Sequence, residues 1–351
     1  MDALRAILLS YGIFVHTANV KIEPLFFFIE GSSGLFRMNT FFFLSGLLAA
    51  LTIGRATPAS WLQKRVIALS VPLLFGLLIL NPLFFLLHSH VPKVGFMVGF
   101  VERNRLVWHL HLWFLFPLLA FTMTTFAIRD LQVRKGRSIA IRNDNLIPDA
   151  PHIRLAVLAA LLAFPALRYL AMWVVYHIPF RSAGLGHFSF IISMTFGTLP
   201  FYLLGYLLPN HRFLQAMFSS PIYWLVGLLS IPLLLARIGV VALDPKTHDI
   251  VNSVGSTAFS LAFIVITTPV FLKITSIHPF LTSLSKSSYT IYIVHFLLVS
   301  MFLYAYSWAG LSIYPAAAAT VISVFIVALT IHSQLVERHR WARFLLNGKM
   351  T

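Results

Sequence analysis

A chain of 351 residues that is 59% hydrophobic and only 10% charged has more apolar surface than a water-soluble core can hide, so it reads as an integral membrane protein. The net charge of +16 is better met by basic cytoplasmic loops and an anionic ligand than by nucleic acid, which is excluded as a partner. With no cysteine, neither disulfides nor thiol chemistry contribute.

Ten apolar segments follow one another, at 3–20, 35–54, 66–88, 109–128, 153–176, 188–208, 219–238, 250–272, 288–308 and 312–333. Each is long enough to cross a hydrocarbon core of about 30 Å as a helix. The expectation is an all-α, polytopic fold of about ten transmembrane helices, a single transmembrane domain over 1–351 set in a lipid bilayer. The first segment has neither the basic flank nor the cleavage site of a signal peptide, so it is read as a retained span. An even count places both termini on one side. Under that arrangement sixteen Lys and Arg fall on the side of the termini and seven on the other, which puts both termini in the cytoplasm. The polar connection 129–152 is then a cytoplasmic loop. Prolines such as Pro72, Pro82, Pro200 and Pro269 interrupt many spans, and kinked helices of this kind can open polar cavities.

The first segment carries Asp2 at its mouth and two ionisable side chains, Arg5 and His16, within it. Eleven steps of about 100° close almost three turns, so Arg5 and His16 share one helix face, about 16 Å apart along the axis. Intramembrane charge is costly and by default marks a functional site. The second segment opens with Phe36-Arg37-Met-Asn39-Thr40 and continues to Ser45-Gly46. If the first two segments pack antiparallel, Arg37 and His16 lie at similar depth, and a guanidinium beside an imidazole suits a general base. The fourth segment opens Trp108-His109-Leu-His111-Leu-Trp113, a run that interfacial anchoring largely explains. Two histidines one residue apart do not make a helical metal pair and no carboxylate completes a ligand set, so no metal site is expected. The ninth segment reads Ser288-Tyr289-Thr-Ile-Tyr292-Ile-Val-His295, with Tyr292 and His295 on one face beneath a Ser/Lys-rich entrance. Nucleotide-binding loops, a serine nucleophile elbow and paired intramembrane carboxylates are all missing. Arg and His as the intramembrane ionisables suit an anionic donor and a base catalyst.

These residues resemble a known family. Asp2-x-x-Arg5 followed by His16 is similar to the Arg-x10-His signature of the membrane acyltransferase-3 family. Phe36-Arg37, Phe41-Phe42, Ser45-Gly46, His111-Leu-Trp113-Phe114-Leu115, Leu199-Pro-Phe201, Gly205 and Ile291-Tyr292-x-Val294-His295 most resemble its branch for biosynthesis of osmoregulated periplasmic glucans. Phe296 departs from the pattern, since His or Pro is expected there, and so does the lack of a polar lead before Asp2.

The resemblance implies transfer of an acyl group, succinyl in that branch, from cytoplasmic acyl-coenzyme A to a hydroxyl of a periplasmic glucan, in the bacterial inner membrane. It implies His16 as the essential histidine, Arg5 as its motif partner, and Arg37, His111 and His295 lining the site with Trp113 and Tyr292. Lys64 and Arg65 would hold the phosphates of the donor, which is a substrate, and no tightly bound cofactor is expected. A homo-oligomer is compatible with this reading. So are an acetyl donor with another cell-surface polysaccharide, an acyl-histidine intermediate and, from another class, a polytopic transporter of an anionic substrate.

Overall fold

The computed structural model describes residues 2–20, 23–90, 107–134, 186–210, 245–273 and 278–349, with the single positions 97, 100, 170, 173, 214, 215 and 218. All regular structure among them is helical. Eight helical stretches are long and apolar enough to span a membrane. The expected spans 153–176 and 219–238, together with Arg168 and the loop beyond Arg134, lie outside the described residues, Leu170 and Trp173 apart.

Helix α1 runs Asp2–Thr17, with Asp2 in its first turn where a carboxylate complements the helix dipole. Its outward stripe is Ile7 and Phe14, seven residues apart, while Leu4, Leu8 and Ile13 face inward. A 3₁₀ turn, Ala18–Val20, closes it. Helix α2, Pro24–Ile53, starts with proline at its first position, where the missing N–H costs nothing. Helix α3, Pro58–Phe75, widens into a π turn over Gly76–Leu80 and continues as α4, Asn81–His90. Pro82 supplies the cause: its ring can neither donate to nor fit against the carbonyl one turn back. A 3₁₀ turn, Leu110–Phe114, leads into α5, Leu115–Arg134. Helices α6, Gly186–Leu207, and α7, Pro245–Lys273, follow. Helix α8, Pro279–Trp308, is capped by His278, whose Nδ1 accepts from Phe280 N at 3.2 Å. Helix α9, Ile313–Thr330, ends in a second π turn, Ile331–Val336, before the short α10, Arg340–Asn347.

Several helices outrun the segments expected from apolarity. Helix α2 begins at 24 rather than 35, α3 at 58 rather than 66, and α8 at 279 rather than 288. The added turns carry exposed polar residues such as Thr282, Ser283 and Lys286. Apolarity marks the lipid-facing slab, whereas the backbone ladder continues past it into the headgroup region. By the same logic α5 extends through Arg129 to Arg134, so the first six residues of the expected 129–152 loop are helical.

The chain forms two compact units. The first comprises residues 1–33, 67–115 and 275–351, and the second 34–66 and 116–274. In the first, α8 is the central helix, packed against α1, α4, α9 and α10. Gly348 ends α10 in the left-handed region, φ 61°, and a Cβ there would lie 2.4 Å from Ala68 Cα, so both conformation and space require glycine. In the second unit, α2 and α6 meet at reciprocal glycines, Gly46 against the Tyr202 carbonyl and Gly205 against that of Phe43.

Candidate active site

Three imidazoles meet inside the first unit. His16 comes from the last turn of α1, His111 from the 3₁₀ turn before α5, and His295 from the middle of α8. Ring centroids lie 5.2 Å apart for His16–His295, 4.9 Å for His111–His295 and 6.2 Å for His16–His111. His111 and His295 are 5% and 1% exposed, while His16 is half-buried. Phe296 packs against two of the three rings. It stacks on His111 at 5.1 Å and 12° and meets the edge of His16 at 4.8 Å. The position that departs from the family pattern is thus packed directly against two of the histidines. No group of three His, Asp or Glu side chains among the described residues is arranged to hold a metal ion.

Each ring is held by its own element. The His295 Nδ1 lies 2.7 Å from the Tyr292 carbonyl, one turn back on α8. A carbonyl only accepts, so Nδ1 carries the proton, and in the neutral ring Nε2 is the basic nitrogen. The Tyr292 hydroxyl donates to the carbonyl of His111 and ties α8 to the 3₁₀ turn. Tyr292 also packs 5.2 Å from the His111 ring and 4.3 Å from Phe114. The residue before His111 is strained: Leu110 has φ 45°, which a side chain with a Cβ seldom adopts. The strain is sustained by neighbours, since Asn81 Nδ2 donates to the Trp108 carbonyl at 2.7 Å and His109 Nδ1 to the Leu110 carbonyl at 3.0 Å. Asn19 meets His16 Nδ1 at 3.5 Å, a long contact.

Arg5 is not brought to the histidines. It stands at the opposite end of α1, about 16 Å away along the axis, and its Nη2 lies 3.6 Å from Asp2 Oδ1. It is also within electrostatic reach of Tyr289, the residue one turn before Tyr292 on α8. Trp113 is half-buried on the same turn as His111. Arg37, Lys64 and Arg65 belong to the second unit: Arg37 half-buried on α2, Lys64 exposed and Arg65 half-buried on α3.

Sequence reasoning missed His88. It lies buried at the end of α4, 4.0 Å from Phe84 and 5.7 Å from Phe100, and both of these rings contact Phe296. Neither of its ring nitrogens has a hydrogen bond among the described residues. The one advance signal was a histidine near the end of an apolar segment, which is also the signature of an interfacial anchor.

Residues 1–332 match an acyltransferase domain of the acyltransferase-3 type. The chain is 28% identical over 239 residues to glucans biosynthesis protein C of Escherichia coli K12, covering 63% of this chain and 60% of that protein. It is 30% identical over 199 residues to the protein of the same name from Salmonella paratyphi B, covering 53% and 48%. The matched region thus spans about half to three-fifths of these relatives' length. No solved structure matches the chain.

Proposed function

Because this chain belongs to the acyltransferase-3 family, we propose that it moves an acyl group, succinyl in the first instance, from cytoplasmic acyl-coenzyme A to a hydroxyl of a periplasmic glucan. The glucan acceptor is suggested by the name of the curated relatives. The family resemblance suggests a multi-pass protein of the bacterial inner membrane, and the charge asymmetry favours cytoplasmic termini. The observation that carries the reading is the meeting of three imidazoles, His16, His111 and His295, two of them packed on Phe296.

In this reaction neutral His16 takes the proton of the acceptor hydroxyl as its oxygen attacks the thioester carbonyl. The new C–O bond forms, the C–S bond breaks, and the proton on His16 passes to the departing thiolate. Nothing is oxidised or reduced. Developing charge on the carbonyl oxygen calls for a cation, and Arg37 is assigned that role or the pairing of the succinyl carboxylate. His111, Trp113, Tyr292 and His295 shape the acceptor side. The bond from Nδ1 to the Tyr292 carbonyl holds neutral His295 in the tautomer whose Nε2 is the basic nitrogen. Arg5, ion-paired with Asp2, acts at the donor's entrance rather than at the carbonyl. Lys64 and Arg65 hold the donor's phosphates.

Labelled succinyl-coenzyme A incubated with the purified protein and a glucan acceptor tests the proposal. Transfer of label to the glucan by the native chain, and its loss in His16→Ala that still inserts and melts normally, is the expected result. Glucan labelling at near-native rate by His16→Ala removes His16 from the mechanism, and no labelling by the native chain refutes the activity.

A further inference from the structure

The last helix turns a second surface outward, beside the first half of α8. Helix α10, Arg340–Asn347, follows both the residues 1–332 that match the family and the apolar span Ile313–Val336. His339 is extended, φ −118° and ψ 124°, so α10 leaves the line of α9 rather than continuing it. Its inner face is seated on the first unit. Ala342, Leu346 and Asn347 are buried. Thr290 Oγ1 on α8 donates to Asn347 Oδ1 at 3.1 Å, and His332 Nδ1 lies 2.9 Å from the same hydroxyl. The Arg343 guanidinium donates to the Val336 carbonyl at 3.3 Å from Nε and to that of Glu337 at 2.6 Å from Nη2, closing the end of the preceding π turn.

The outer face carries a different chemistry. Trp341 is 58% exposed, and Phe344 and Leu345, one turn on, are half-buried on the same face. Arg338 and Arg340 precede the indole and Lys349 follows the helix, all three exposed. Among the described residues no carboxylate forms an ion pair with any of these cations. The adjacent acid, Glu337, stands 3.6 Å from His332 Nε2 instead. The His339 ring stacks on Trp341 at 6.0 Å and 28°. Eight residues are too few for a helix to persist on its own, and protein contacts hold chiefly its inner face. An indole and an apolar stripe beside unpaired cations match the headgroup layer of a bilayer, where the indole seats between glycerol and water and the cations meet phosphate. Coenzyme A phosphates offer the same charge, and the stripe of Trp341, Phe344 and Leu345 is what favours lipid.

We propose that α10 is an interfacial helix whose outer face, Trp341 with Arg338, Arg340 and Lys349, binds anionic phospholipid headgroups of the leaflet beside it, and that the lipid completes the docking of α10 on α8. The surface goes beyond the acyl-transfer reading and stands without it. Its consequence follows from the bonds of the inner face. Asn347 and His332 meet at Thr290, five residues before His295 on α8, so anionic lipid braces the helix that carries one of the three clustered histidines.

The full chain is placed in nanodiscs of phosphatidylcholine, with or without phosphatidylglycerol, and amide hydrogen exchange is followed in the peptide that covers α10. Each arginine near an anionic surface strengthens binding roughly fivefold. Phosphatidylglycerol is therefore expected to slow α10 exchange roughly 5- to 25-fold, an effect that fades at high salt. Arg338→Gln with Arg340→Gln abolishes the difference between the two lipids and leaves exchange in pure phosphatidylcholine as in the native chain. Trp341→Ala speeds α10 exchange in both lipids, because burial of the indole does not depend on lipid charge. Arg134→Gln, an exposed cation already paired with Asp130, leaves the lipid dependence intact. Equal α10 exchange in the two lipids overturns the proposal, and so does phosphatidylglycerol protection that survives the double arginine variant. Protection by coenzyme A in pure phosphatidylcholine, with none from phosphatidylglycerol, assigns the cations to a soluble donor and overturns it too. Exchange is read without turnover, so lipid-dependent protection in a chain that transfers no acyl group supports the surface and refutes the activity. Normal transfer with lipid-independent α10 exchange does the reverse.

Discussion

Gly205→Ala tests the close backbone contact between α2 and α6. A Cβ at 205 would stand 2.0 Å from the Phe43 carbonyl oxygen and 2.9 Å from the Leu47 nitrogen, all of it backbone of α2. Ordinary contact begins near 3.4 Å, so α2 and α6 have to part by the difference, about 1.4 Å, since neither atom can swing away as a side chain does. Parting loosens the aromatic column beside the contact, Phe42 to Phe121 at 5.6 Å and Phe121 to Tyr202 at 4.8 Å. Overpacking of this kind costs about 1–3 kcal/mol, a fall of a few degrees in Tm for a chain of this size. Thermal unfolding in detergent measures the loss. Ile326→Ala, at a position 60% exposed on α9, serves as the control and should barely shift Tm. Because Gly46 makes the reciprocal contact with Tyr202, Gly46→Ala combined with Gly205→Ala should cost less than the two separately, the helices having already parted. A Gly205→Ala protein that melts with the native one would show that the glycines are not what holds α2 and α6 together.

Tyr292→Phe removes the donor to the buried His111 carbonyl, at a cost of about 1–3 kcal/mol, and should lower transfer; native Tm and rate together would discount the link between α8 and the His111 turn. His295→Phe keeps the ring volume while losing the basic nitrogen, so transfer should fall about 100-fold or more while Tm changes by no more than one lost hydrogen bond explains; a loss of under tenfold leaves His295 a packing residue. Single cysteines introduced into this cysteine-free chain should be shielded from an impermeant reagent in intact cells at 64, 65 and 129–152, and reactive in the 88–108 connection; the opposite pattern inverts the topology. Arg37→Gln should reduce succinyl transfer far more than acetyl transfer if Arg37 pairs with the succinyl carboxylate, and equal residual rates with both donors assign it to the carbonyl oxygen instead.

Everything governed by a helix's own period was legible in the chain. Apolar runs marked the described spans, the eleven-residue interval put Arg5 and His16 on one face of α1, and the three-residue interval set Tyr292 beside His295 on α8. Those relations need only 3.6 residues per turn. What no period determines is how side chains far apart in the chain meet. Tyr292 reaches the carbonyl of His111, 181 positions earlier. Thr125 reaches Tyr202, 77 positions later. Phe296 read as a departure from a pattern, and packing made it the ring between two histidines. The left-handed Leu110 before His111 is likewise imposed by neighbours against local preference. The membrane decides which residues become helical, because every backbone group within it must be satisfied inside its own helix. Which faces of those helices touch is decided by glycine contacts, ring packing and a few buried hydrogen bonds, and these exist only once the chain has folded.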